Sequence, residues 1–355
     1  MTRLKVAVIQ CADTGPLESL VLMLRALGYK CLRVGQELSS QLIKAGCDTV
    51  MTSEYLHDSM GYELPLVIDG VATPRDAENC DLFVDVKAHR NLPFILNRFP
   101  SLEGKVLWYR INGGQPEHVV NARGDHGNEL DPPCPVVTPN QWYKSGIPGK
   151  AWMTFPWADR AYAFWPKFAR AKEFDTEDRA IKDFRHPVCL IHNASGWGYQ
   201  NLIEGVRKMG VKVFGRGSPD GLVHHSRAMD LLTCASCMVH LKSNDAPGYS
   251  LYEAIHSGCP IILPRRLIWR CRMEELFVEN ETCLCFDRET HDPIESQSEI
   301  NHCLDEIRSH LTTLSSPEKN VEVSANAFVR LKQLEWNEGR DLEGFRKFME
   351  RHYGS

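Results

Sequence analysis

One pattern constrains this chain more than any other. A strand, a helix and a strand follow one another in the first half of the sequence, and the same order restarts in the second half after a polar stretch. Residues 5–10 (KVAVIQ) hold an uninterrupted apolar run of strand length, the form a strand takes when a parallel sheet is covered on both faces. A polar turn, Asp13-Thr14-Gly15-Pro16, leads into residues 17–27 (LESLVLMLRAL), where apolar residues recur at helical spacing and stop at Gly28. Residues 29–34 return as a strand. Strand, helix and strand within about 30 residues make a βαβ unit, so the sheet is expected to be parallel and the crossover right-handed.

Further strands are expected at 49–51, 66–68, 82–86, 106–111 and 136–138, with a short helix at 91–98. Residues 112–135 are rich in Gly, Asp, Asn and Pro, which predicts a long loop. Loops of that length in compact domains are functional or mobile. Polar residues 171–186 separate the halves. Beyond them, 188–192 read as strand, 196–198 as turn, and 201–208 as a helix stopped by Gly210. A strand at 212–214 ends in Gly215-Arg216-Gly217. Then come helix 228–235, strand 238–241, helix 251–257 and strand 260–263; Cys283 and Cys285 alternate as strand residues do. Helices at 298–312 and 322–352 close the chain, the second broken near Trp336. At 355 residues the chain is too long for one ordinary core and suits two. The expected fold class is α/β, with two Rossmann-like doubly wound domains. Residues 1–170 form the first and 171–186 the linker. Residues 187–335 form the second, and 336–355 a terminal helix.

Composition excludes several classes. With 43% hydrophobic and 25% charged residues, the mixture is that of a globular protein. The longest apolar runs fall far short of the ~20 residues a bilayer span needs. The opening MTRLK leads into a strand with no secretory apolar region, so a cytoplasmic location is expected. The thirteen cysteines are odd in number and scattered through apolar segments, which predicts buried, reduced thiols. Cys234-Ala-Ser-Cys237 is the one CxxC, and no second ligand pair follows it, so no metal is expected. The net charge of −5 speaks against nucleic acid as the main partner, although Arg265, Arg266, Arg270 and Arg272 form a local basic cluster.

The stretch most informative about chemistry is 243–263, SNDAPGYSLYEAIHSGCPIIL. Asp245 and Glu253 are separated by seven residues, with Gly248 between them. A loop enters a helix near Ser250 and Leu251, and Gly258-Cys259-Pro260 ends it. Unpaired N–H groups and the positive end of the helix dipole then converge on one point, an arrangement that binds phosphate. Gly248 lets the backbone approach a ligand closely. Glu253 sits about one turn in, where its carboxylate can accept both hydroxyls of a ribose.

This stretch resembles the E-x7-E signature of the family 4 glycosyltransferases, retaining, nucleotide-sugar-dependent enzymes with the two-domain fold called GT-B. The resemblance implies a fold with the two domains facing across a cleft, the acceptor on the first and the donor on the second. It implies that Glu253 holds the nucleotide ribose, that Asp245 supports the transferred sugar, and that amides of Gly248, Tyr249 and Ser250 hold the diphosphate. Residues 155–164 resemble the segment leading into the interdomain linker. Leu334-Glu335-Trp336 with Phe345 and Tyr353 resembles the closing helix, which crosses back to the N-domain. Two departures stand out. The family's first C-domain loop carries an Arg and a Lys, whereas here it reads Asn193-Ala194-Ser195-Gly196-Trp197-Gly198. Arg216 and Arg265 are the nearest replacements, with help from the amides at Gly196 and Gly198. A histidine common in the N-domain is replaced by Asn112 and Arg110, with His89 and His118 as other candidates, and Gly15 loosely resembles a phosphate loop. No cofactor is implied; a nucleotide-diphosphate sugar is the donor substrate. The acceptor stays open among glycan, small molecule and modified DNA, and the oligomeric state is not legible. A plain reading of each residue stands alongside: a surface glutamate, a turn aspartate, a solvated arginine pair. The rival functions are a GT-B epimerase, a phosphorylase-like protein, a non-catalytic nucleotide- or partner-binding module, and a transferase acting on modified bases in DNA.

Overall fold

The computed structural model describes residues 4–10, 15–48, 50, 68–110, 132–139, 141, 158–167, 186–242, 248–288 and 296–354. The chain divides into two compact units, one comprising Met1–Ala169 with Glu335–Ser355, the other Arg170–Leu334.

Unit 1 is built on a seven-stranded sheet in the order β3-β2-β1-β4-β5-β6-β7. Its strands are β1 (Lys5–Gln10), β2 (Tyr29–Val34), β3 (Gly70–Ala72), β4 (Leu82–Asp85), β5 (Val106–Tyr109), β6 (Val136–Thr138) and β7 (Ala161–Ala163). Every pairing is parallel, as the uninterrupted apolar runs require. Helices α1 (Gly15–Ala26), α2 (Gln36–Ala45), α3 (Pro74–Asn79) and α4 (Ala88–Arg98) accompany it. One core cluster joins Leu38 and Leu42 of α2 and Ile95 of α4 to Val8, Phe83 and Trp108 of the sheet. Of the strand expected at 66–68 only Ile68 is described, and it lies in no strand; β3 starts at Gly70, which pairs with Leu32. Val50, the one described residue of the expected strand at 49–51, lies in no strand.

Unit 2 is built on a five-stranded parallel sheet in the order β12-β11-β10-β8-β9. Its strands are β8 (Val188–Asn193), β9 (Lys212–Arg216), β10 (Met238–Val239), β11 (Ile261–Pro264) and β12 (Leu284–Phe286). The helices between them are α5 (Ala194–Trp197), α6 (Gln200–Lys208), α7 (His225–Cys234), α8 (Tyr249–His256) and α9 (Arg265–Arg270), followed by α10 (Gln297–Thr313) and α11 (Pro317–Leu334). Leu202, Ile203 and Val206 of α6 are buried against the sheet, each contributing about 1.5–3 kcal/mol relative to exposure. The turn expected at 196–198 is instead a short helical turn, because the Gly198 N–H donates to the carbonyl of Ala194 at 3.0 Å.

The last helix, α12 (Glu338–Tyr353), belongs to unit 1. Phe345 and Phe348 place their rings 5.1 and 5.7 Å from Tyr162, beside β7. Tyr353 donates to the carbonyl of Val106 at 3.0 Å. The closing helix therefore packs beside β7 and reaches β5 of the same unit. Among the described residues no helix is long and apolar enough to cross a membrane. The described cysteines are unbridged, and all but Cys234 are buried. Burial pushes the thiols of Cys31, Cys80 and Cys189 up to about 12, keeping them protonated.

Candidate functional site

In a parallel sheet every strand ends on the same edge, and ligands bind outside those carboxyl ends where the strand order reverses. In unit 2 that reversal falls between β8 and β10, which are neighbours in the sheet and lead in opposite directions. The segments leaving these two strands meet. Gly198 forms an isolated antiparallel bridge with Lys242, and the Tyr199 N–H donates to the Leu241 carbonyl at 3.0 Å. Gly198 and Tyr199, just after α5 with its Gly196, are thus held beside Leu241 and Lys242.

Gly248 is the N-cap residue of α8. Its extended backbone (φ −73, ψ 144) is open to any residue, and no side chain caps the helix. A Cβ built there would stand 3.2 Å from Ser250 Oγ and 3.5 Å from His240 Cε1, close to both but excluded by neither. Gly248, Tyr249 and Ser250 are half-buried at the start of the helix, where first-turn N–H groups have no partner within it. One turn further in, Glu253 is 8% exposed. Its Oε1 lies 2.7 Å from His225 Nε2, in the first residue of α7. This histidine is a site residue that the sequence reading missed; it lies 28 positions away on a separate helix, and no local pattern links the two.

Arg216 ends β9 and pairs in register with Asn193 at the end of β8. It is exposed and, among the described residues, meets no carboxylate. Its neighbours fix it. Gly215 has φ +138, and a Cβ there would fall 1.6 Å from the Ile191 carbonyl oxygen; one on Gly217 would come within 3.1 Å of Ser195 Oγ. The turn carrying Arg216 therefore packs directly on the α5 segment.

Arg265 sits on the same edge, at the start of α9, but is already engaged. Its Nε and Nη2 donate to Glu279 at 3.0 and 2.6 Å, and its Nη1 meets Asp287. The hydrogen bond from Arg265 holds the Glu279 carboxyl below its ordinary range. Asp287, His302 and Glu306 are the one cluster among the described residues whose ligand atoms could share a metal ion. Arg265 already pairs with that aspartate, and Glu306 already accepts the Asp287 N–H at 2.8 Å.

The remaining expected residues lie elsewhere. Gly15 is the first residue of α1, and His89 lies in the first turn of α4, its ring 4.9 Å from Trp108. Both belong to unit 1. Asp245, Asn112 and His118 lie outside the described residues. In unit 1 the order reverses between β1 and β4, and β4 ends at Asp85, which is wholly buried. Burial raises its carboxyl to about 7, against hydrogen bonds from the Lys87 N–H and Asn91 that favour the charged form.

No family model matches the sequence, and no curated protein matches it. Solved structures do. The chain is similar to sucrose-phosphate synthase from Thermosynechococcus elongatus, with a TM-score of 0.61 at 13% identity over 99% of this chain and 100% of that one. A glycosyltransferase from Rickettsia africae gives 0.56 at 12% identity over 98% and 99%. An alpha-glucosyltransferase in complex with UDP and a 13-mer DNA containing a HMU base gives 0.54 at 10% identity over 97% and 99%. At these identities the likeness is one of fold: the chain is α/β with the two parallel sheets of the GT-B class.

Proposed function

We propose that this chain is a retaining glycosyltransferase, moving a sugar from a nucleotide-diphosphate sugar to an acceptor hydroxyl without a metal. The observation that carries the reading is Glu253. It is a buried carboxylate fixed by His225, one turn into a helix whose N-terminus no side chain caps, beside the reversal point of its sheet. An apolar or merely solvated role leaves such a pairing unexplained, whereas ribose hydroxyls can donate to a carboxylate held in this way.

In this reading the α8 amides at Gly248, Tyr249 and Ser250 hold the diphosphate, with Gly196 from the adjoining segment and the guanidinium of Arg216, which meets no carboxylate among the described residues. Arg265 would first have to leave Glu279 and Asp287, so it ranks behind Arg216. Asp245 supports the hydroxyls of the transferred sugar, while Asn112 and His89 are the acceptor-side candidates. The bond from the anomeric carbon to the phosphate oxygen breaks, and a bond to the acceptor oxygen forms on the same face. The leaving phosphate takes the acceptor proton. The protein's task is to stabilise charge on phosphate and on the oxocarbenium-like sugar, and this chemistry requires no separate base.

The loop at 193–198 lacks the basic pair its relatives by resemblance carry, and this favours a second reading, a module that binds nucleotide without turnover. A thermal-shift series with UDP, GDP, ADP, CMP and their sugars separates the readings, since a ligand of the native state raises Tm. A shift with one nucleotide family, followed by sugar transfer in an acceptor panel, supports the transferase. A shift without turnover across sugars and acceptors supports the module, and no shift at all removes both. DNA carrying modified bases belongs in the acceptor panel, and binding to it should weaken steeply with salt.

A further inference from the structure

We propose that His240 is a ligand-binding residue, its imidazole donating from Nε2–H to a phosphate oxygen seated at the N-terminus of α8. The proposal rests on the donor-site reading above and adds to it a side chain that neither the signature stretch nor the resemblance contains.

His240 directly follows β10, and its backbone N–H donates to the Ile262 carbonyl at 2.8 Å. The ring is therefore anchored to the sheet. It is 2% exposed, and among the described residues its buried Nε2 finds no hydrogen-bond partner. A buried donor or acceptor left in this state costs stability that an apolar residue of the same shape would not. Such a group is expected where a ligand completes it. The place of the ring points to which ligand: Cε1, bonded to Nε2, lies 3.5 Å from the place a Cβ on Gly248 would take. The imidazole therefore borders the N-cap of α8, where the first-turn amides and the helix dipole favour an anion.

The charge state fits this role. Burial, with Lys242 adding to it, pushes the imidazole down to about 3, so the ring is neutral at working pH and carries one N–H. A neutral donor adds to the α8 amides without bringing a second buried charge.

The test uses the full chain with UDP, GDP and ADP as probes and three variants: E253A, H240F and H240Q. Calorimetry is expected to show H240F binding the recognised diphosphate about tenfold more weakly. H240Q, which restores an N–H near the Nε2 position, should recover part of that loss. The unliganded H240F protein should be at least as stable as wild type, whereas a purely structural histidine would make it less stable. In wild-type protein labelled with 15N-histidine, the Nε2 resonance of His240 should move on adding the diphosphate, a readout that does not need H240F to fold. If E253A loses binding while H240F binds like wild type and the resonance stays fixed, the role of His240 is overturned and the donor site stands. If none of the three diphosphates binds wild type, the donor reading falls, and His240's role falls with it.

Discussion

Glu253 Oε1 and His225 Nε2 lie 2.7 Å apart, joining the second turn of α8 to the first residue of α7. The contact holds the carboxylate in one orientation. Glu253→Ala should weaken nucleotide affinity by about tenfold to a hundredfold, the range for losing hydrogen bonds to a charged group. His225→Ala should weaken it less, by about tenfold at most, because the carboxylate stays but loses its support. Calorimetry checks both, with circular dichroism to confirm the fold. Unchanged affinity in Glu253→Ala would remove this site from consideration.

Gly215 ends in a conformation that only glycine adopts readily, with the Ile191 carbonyl 1.6 Å from where a Cβ would stand. Gly215→Ala must move backbone. It should destabilise unit 2 by about 2 kcal/mol or more, and a crystal structure should show the Arg216 turn displaced from α5. A variant with wild-type Tm and nucleotide affinity would show that the turn's position is unimportant.

How much of this was legible beforehand follows from the range of the forces involved. β1, β2 and β6 lie at the residues expected, because an apolar run between polar turns is a local signal. α2 was not anticipated, since QELSSQLIKA is mostly polar and its buried face reduces to Leu38, Ser39 and Leu42. In the site, the glycine, the helix start and Glu253 could be read from spacing. The partners His225, for Glu253, and Glu279 and Asp287, for Arg265, could not. Helix packing sets those contacts, and no short-range pattern encodes them. His240 read simply as a strand residue, and only its burial beside Gly248 distinguishes it.

Asp85 gives a pH signature. Its carboxyl is raised from 3.8 to about 7 in the folded chain, so below about 4 both states hold the proton. Between about 4 and 7 the folded chain keeps the proton while the unfolded chain releases it, and stability falls as pH rises through this window. Asp85→Asn removes the titration. Urea denaturation at pH 4, 6 and 8 should show the variant gaining on wild type with rising pH, by no more than about 1.4 kcal/mol per unit. Parallel stability curves would refute the buried proton.

Phe345 is fully buried in α12, against Tyr162 and Phe348. Phe345→Ala should cost unit 1 about 3–5 kcal/mol through the lost transfer energy and the cavity left behind. Intrinsic fluorescence during denaturation reports the loss. A shift of a few tenths of a kcal/mol would show that α12 merely decorates its unit.

Because residues Glu335–Ser355 belong to the unit begun by Met1, the order of synthesis and the order of assembly differ. A ribosome finishes all of unit 2 before it supplies the helix whose Tyr353 reaches the carbonyl of Val106. Until α12 emerges, the apolar surface around Tyr162 lacks its cover. A chain truncated just before residue 335 would hold one whole unit and one exposed to chaperones and proteases, and the docking of α12 would mark the moment the first unit matures.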